Sequence, residues 1–188
     1  MTSFSSKIVL LFLTFVLAFS LISCGEEPQQ TPTPEAESTQ KPPTPEPIYI
    51  VNSYGECNYV IVYDHTSGEA ASCAYALREK IYELCSVTVI ATPSNLYSGE
   101  GNEIIIGADS MLPSDLVPVI DAAEDYYYFY YYGVHGSDLI MYANSEDAYD
   151  DMIQSISASF IISRTFSLPA NYSRLERLTM EEYLENAE

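Results

Sequence analysis

The sequence predicts an α/β (α+β) fold, with one mixed β-sheet of about five strands and two helices packed on one face. Two observations predict it. Short runs rich in β-branched and aromatic residues alternate with turn residues, and two longer segments between them carry apolar side chains at helical spacing. Each of those segments has a single apolar stripe, so the two are most economically laid across one side of the sheet.

The elements follow in order. Residues 58–64 (NYVIVYD) read as a strand. Thr66 and Glu69 have the spacing of a capping box and open a helix to about residue 84, with Ala70, Ala74, Leu77, Ile81 and Leu84 on its stripe. Residues 87–91 are a second strand, and 93–102, rich in Ser, Gly and Asn, a loop. Residues 103–106 (EIII) form a short buried strand closed by Gly107. Residues 108–124, with Pro113 and Pro118, are a long connection with room for a helical turn. Seven consecutive aromatic residues, 126–132 (YYYFYYY), enter a hairpin whose turn is 133–136 and whose returning strand is 139–142. Asn144 or Ser145 caps a second helix with Asp147 in its first turn and Ala148, Met152, Ile156 and Phe160 on one face. The domain is expected to span 48–163. Residues 164–188 are expected as a C-terminal tail, with a short helix opening at Thr179–Glu182.

Ahead of this domain lies an address. Lys7 is followed by an apolar run, 8–22, that ends in Leu21-Ile22-Ser23-Cys24. A basic start and an apolar stretch too short for a comfortable span are the pattern of a secretory signal, assigned to 1–23. The run's end resembles the lipobox of bacterial lipoproteins. That resemblance implies cleavage before Cys24, lipidation of its thiol, and an extracytoplasmic protein anchored to the bacterial cell membrane. Residues 24–47 are expected as a disordered linker, since 25–47 hold seven prolines, five glutamates and no large apolar residue.

Charge narrows the partners. The 188 residues carry 27 acidic and 7 basic side chains, a net −20, which argues against nucleic acid because phosphate neutralisation needs clustered Lys and Arg. No catalytic constellation, cofactor or metal motif is expected. Asp64, His65 and Ser67 are neighbours at a helix start, not a nucleophile, base and orienter. His135 falls in a turn. The acidic groups Asp121, Glu124, Asp125 and Asp150-Asp151 lack the EF-hand spacing, and Gly99 and Gly101 are loop glycines. Of the cysteines after Cys24, Cys73 and Cys85 lie too far apart on one helix to bridge, while Cys57 with either remains open.

The strand YVIVYD (59–64), the helix 71–84, EIIIG (103–107), DLIMYA (138–143) and the helix 146–160 together resemble a known accessory domain. It is the α/β domain preceding the catalytic barrel of bacterial glycoside hydrolases, such as domain two of the β-hexosaminidases and the N-terminal domain of the α-glucuronidases. Cys85-Ser86 stands where that family has a helix-ending glycine. The resemblance implies a carbohydrate-linked setting and no reaction.

Tyrosine supplies the candidate site. Side chains alternate along a strand, so Tyr126, Tyr128, Tyr130 and Tyr132 share one side and Tyr127, Phe129 and Tyr131 the other. Phe129 has no hydroxyl, which points its set toward the helix-covered core. Tyr59, Tyr63, Tyr126, Tyr128, Tyr130, Tyr132 and Tyr142 are then expected on the uncovered face, docking a protein or a polysaccharide. The expected function is a membrane-anchored extracytoplasmic lipoprotein with a non-catalytic binding or scaffolding domain linked to carbohydrate use. The alternative is a divergent or truncated glycoside-hydrolase component acting with a separate catalytic chain.

Overall fold

The structure, a computed structural model, describes residues 44–99 and 101–186. The expected signal segment, Cys24 and the linker up to residue 43 lie outside the described residues.

The described elements are β1 (Ile48–Val51), β2 (Tyr59–Tyr63), α1 (Gly68–Cys85), β3 (Ile90–Pro93), β4 (Asn102–Ile106), α2 (Val117–Ala123), β5 (Tyr128–His135), β6 (Asp138–Ala143), α3 (Glu146–Phe160), β7 (Ile161–Ile162), β8 (Thr165–Leu168), β9 (Ser173–Leu178) and α4 (Met180–Asn186). The main sheet has six strands in the order β3-β2-β4-β6-β5-β9. Strands β3, β2, β4 and β6 run parallel, and β5 is antiparallel to both neighbours, β6 and β9. The mixed α/β class is therefore as expected. A small antiparallel sheet, β1-β8-β7, adds Ile50, Val51, Phe166 and Leu168 to the same core as the helices.

Local chemistry accounts for the helix ends. Ser67, not Thr66, caps α1, its hydroxyl accepting from the Ala70 N–H at 3.1 Å. Asp64 engages Thr66 instead, accepting from its backbone N–H and its hydroxyl. At the other end Ser86 takes the left-handed conformation (φ 62°) and donates its N–H to the Tyr82 carbonyl, the role a glycine usually fills. Ser145 caps α3 through the Ala148 N–H. The Thr179–Glu182 box forms as the sequence predicts, with Glu182 accepting from the Thr179 N–H and Thr179 accepting from the Glu182 N–H.

Three boundaries move. The second strand starts later, at Ile90; the aromatic strand starts at Tyr128 and runs through the expected turn to His135. The expected tail contributes β8, β9 and α4, and β9 is an integral edge of the main sheet, so the fold does not stop at 163.

The largest correction concerns which way the tyrosines point. The strand parity holds, but the side is reversed. Tyr59, Tyr63, Tyr128, Tyr130 and Tyr132 lie in the core beneath α1 and α3 with Ile61, Ile104, Ile106, Leu139 and Met141. Phe129 and Tyr131 face the opposite side with Ile105 and Ile140. That side is not bare over these strands: Ala108, Leu116, Ile120 and Ala123 of the 108–124 connection pack on it. The reversal has a steric cause. The helices present small residues inward, Ala70, Cys73, Ala74 and Ala148 among them, leaving depth for large rings. The hydroxyls reach polar partners at the edge of the layer, so phenols are satisfied there. Tyr126 precedes the strand, and Tyr142 sits half-buried on the other side, stacked on Phe129 at 6.2 Å with its hydroxyl donated to Asp109.

Candidate functional site

Where the helix layer ends, above β5 and the edge strand β9, the buried tyrosines open into a cleft of about 520 Å³. That volume lies within the range of small-molecule sites. Alternation along both strands builds its floor. Tyr128 pairs with Leu178, Tyr130 with Glu176 and Tyr132 with Arg174, so these side chains share one face. Helix α3 supplies one wall from Asp151, Gln154 and Ser155, which fall together at i, i+3 and i+4. Helix α4 supplies Tyr183 and Asn186.

The polar groups are connected. Tyr128 Oη donates to Asp151 Oδ2 at 2.7 Å. Arg174 donates to Ser155 Oγ and to Glu176 Oε2, each at 3.1 Å, and Tyr132 Oη lies 3.0 Å from the same serine oxygen. Burial first, and then the Asp151 carboxylate, push the Tyr128 phenol well above its ordinary range. Burial raises Tyr130 as well, and the Glu176 carboxylate raises Arg174, so both keep their protons at neutral pH. Three rings border the cleft. Tyr183 stacks on Tyr128 at 5.5 Å, and Tyr128 meets Tyr130 edge-on at 6.1 Å.

The other predicted site tyrosines are dispersed. Tyr59 donates to the Ser137 carbonyl at the far end of the sheet, Tyr63 lies 3.4 Å from the Tyr75 hydroxyl, and Tyr126 lies under Arg177. Tyr132 is wholly buried behind the cleft. Arg174, Glu176 and Tyr183 escape a reading that treats 164–188 as a tail. Arg174-Leu175-Glu176-Arg177-Leu178 has no period-two alternation, and Leu175 and Leu178 fall on opposite faces of the sheet, so no local pattern marks it as a strand.

Elsewhere, Ser94 approaches His65, its Oγ 3.1 Å from Nδ1, and Asp64 Oδ1 lies 3.7 Å from that same nitrogen. A relay needs carboxylate and hydroxyl on opposite ring nitrogens, so this is not a triad geometry. On the opposite sheet face Tyr131 Oη meets His135 Nε2 at 2.7 Å beside a second cleft of similar volume, about 540 Å³, with Asp115 and Asn171. Among the described residues no three His, Cys, Asp or Glu side chains converge as a metal site, and Cys57, Cys73 and Cys85 are free thiols. Among the same residues no helix is long and apolar enough to cross a membrane. No protein-family model matches the sequence, and no curated protein matches it.

Proposed function

We propose that this protein is a lipid-anchored extracytoplasmic binding module. It is tethered through Cys24 to the bacterial cell membrane and holds a sugar-containing ligand in the cleft between α3, β9 and α4. The lipobox-like Leu21-Ile22-Ser23-Cys24 and the Pro-rich stretch behind it support the tether. The observation that carries the binding role is the cleft itself, where aromatic rings stand beside the planar polar side chains Asp151, Gln154, Arg174 and Glu176. Such groups suit a ligand rich in hydroxyls. A non-catalytic role fits their pairing, because Asp151 already accepts from Tyr128 and Glu176 is held by Arg174. Neither carboxylate stands alone as an acid or base.

Two measurements test this. Mass spectrometry of the membrane fraction should find a mature chain beginning at a diacylglyceryl Cys24, and Cys24→Ser should remove both the lipid and the membrane association. The full-length protein should be retained on insoluble polysaccharide, and Tyr183→Ala should weaken that retention. A wild-type chain without lipid would overturn the tether; equal retention of the two proteins would overturn the assignment of the cleft.

A further inference from the structure

Two arginines already rest on the rings of the tyrosine run. The Arg174 guanidinium lies 6.0 Å from the Tyr130 ring centre and the Arg177 guanidinium 4.8 Å from that of Tyr126. A ring face carries negative potential, so it attracts cations within about 6 Å. Tyr128 donates its hydroxyl to Asp151, and Tyr183 points its hydroxyl at Asp147 Oδ2, 3.4 Å away. Both bonds place a carboxylate beside the phenol and leave the ring richer in electrons. The cleft walls carry two carboxylates, Asp151 and Glu176, against one guanidinium, Arg174, and the chain as a whole is strongly acidic.

We infer that the cleft recognises a ligand bearing an ammonium group, held against the part-exposed Tyr183 ring with Asp151 as counter-ion, next to the Tyr130 ring that Arg174 already covers. Resting on the sugar-binding role proposed above, this makes the ligand class a glycan with free amino groups. Arg174 is then the internal cation that shares the site with the ligand.

The test compares a matched pair by titration calorimetry on the full-length protein: a glucosamine disaccharide with its amines protonated, and the same disaccharide N-acetylated. The two differ at the nitrogen that carries the charge. The ammonium form should bind about tenfold more tightly. Asp151→Asn, which keeps the acceptor for Tyr128, should weaken it about fivefold, and Tyr183→Leu by a similar factor. Arg174→Gln should tighten it. Glu79→Gln, a charge change at an exposed position of α1 that does not line the cleft, should leave it within twofold. Equal or stronger binding of the N-acetylated form overturns the ammonium preference and leaves the sugar-binding role standing. So does weakening by Arg174→Gln, the mark of an anion site. An effect of Glu79→Gln equal to that of Asp151→Asn would reduce the preference to diffuse charge and overturn it. If neither disaccharide binds, both the preference and the role are overturned.

Discussion

Replacing Tyr132 by alanine tests which side of the sheet the tyrosines occupy. The ring is 0% exposed and lies 6.2, 6.3 and 5.8 Å from the rings of Tyr130, Phe160 and Tyr172. A buried ring of this size removes about 150–250 Å² from water, which at about 25 cal/mol per Å² sets an upper bound near 4–6 kcal/mol. Aromatic-to-alanine changes in cores cost about 3–5 kcal/mol, and the two figures agree. Tyr132→Phe removes only the hydroxyl that meets Ser155 and should cost about 1 kcal/mol. Tyr127, of opposite parity and 51% exposed, should tolerate alanine for less than about 1 kcal/mol. Urea denaturation of the three variants, followed by far-ultraviolet circular dichroism, gives the ordering directly. A Tyr132→Ala protein within 1 kcal/mol of wild type would refute the placement of these rings beneath the helices.

Three further outcomes follow from the same structure. Gly107→Ala should destabilise by about 2–4 kcal/mol in denaturant titration: φ is +63°, and an added Cβ would meet Tyr149 Oη at 2.6 Å and Ala70 Cβ at 3.1 Å. A wild-type midpoint would contradict that crowding. Ser86→Gly should stabilise by about 0.5–1 kcal/mol, because glycine adopts the left-handed helix end without a Cβ penalty, and a loss of stability would count against the cap. Alkaline pH should unfold the protein through its phenols. Burial, with nearby acidic groups, raises Tyr59 to about 12 and holds Tyr128, Tyr142 and Tyr149 higher still, all above the ordinary value of 10.0. A raised folded-state value stabilises fully below the unfolded-state value and is lost as pH climbs through the folded one. Stability should therefore hold to about pH 9.5 and then fall by about 1.4 kcal/mol per pH unit for each such tyrosine, which denaturation at stepped pH will measure.

Much of this fold is legible in the sequence because periodicity is local. Both helices, the EIII strand, the hairpin and the alternation of the tyrosines each follow from neighbouring residues. The side on which a strand face lies is not local. It depends on Leu116 and Ile120 in the preceding connection covering Phe129, and on small residues in two helices leaving depth for Tyr128, Tyr130 and Tyr132. Treating a missing hydroxyl as the mark of the core fails here. A phenol can bury its ring and still pass its oxygen to Asp151 or Ser155 at the edge of the layer. Capping shows the same limit on a smaller scale: Thr66 and Ser67 are both good caps, and the nearby Asp64 carboxylate decides between them by engaging Thr66. The cleft was half legible. Tyr128 and Tyr130 stand out in the sequence, while Arg174 and Glu176 require β9 to pair with β5, a contact across about 40–50 residues of sequence.

The most direct test of the binding role is nuclear magnetic resonance mapping of the full-length protein during titration with a soluble polysaccharide fragment. Saturable shifts should concentrate on Tyr128, Gln154, Arg174 and Tyr183. Shifts centred instead on Tyr131 and His135, across the sheet, would contradict the account.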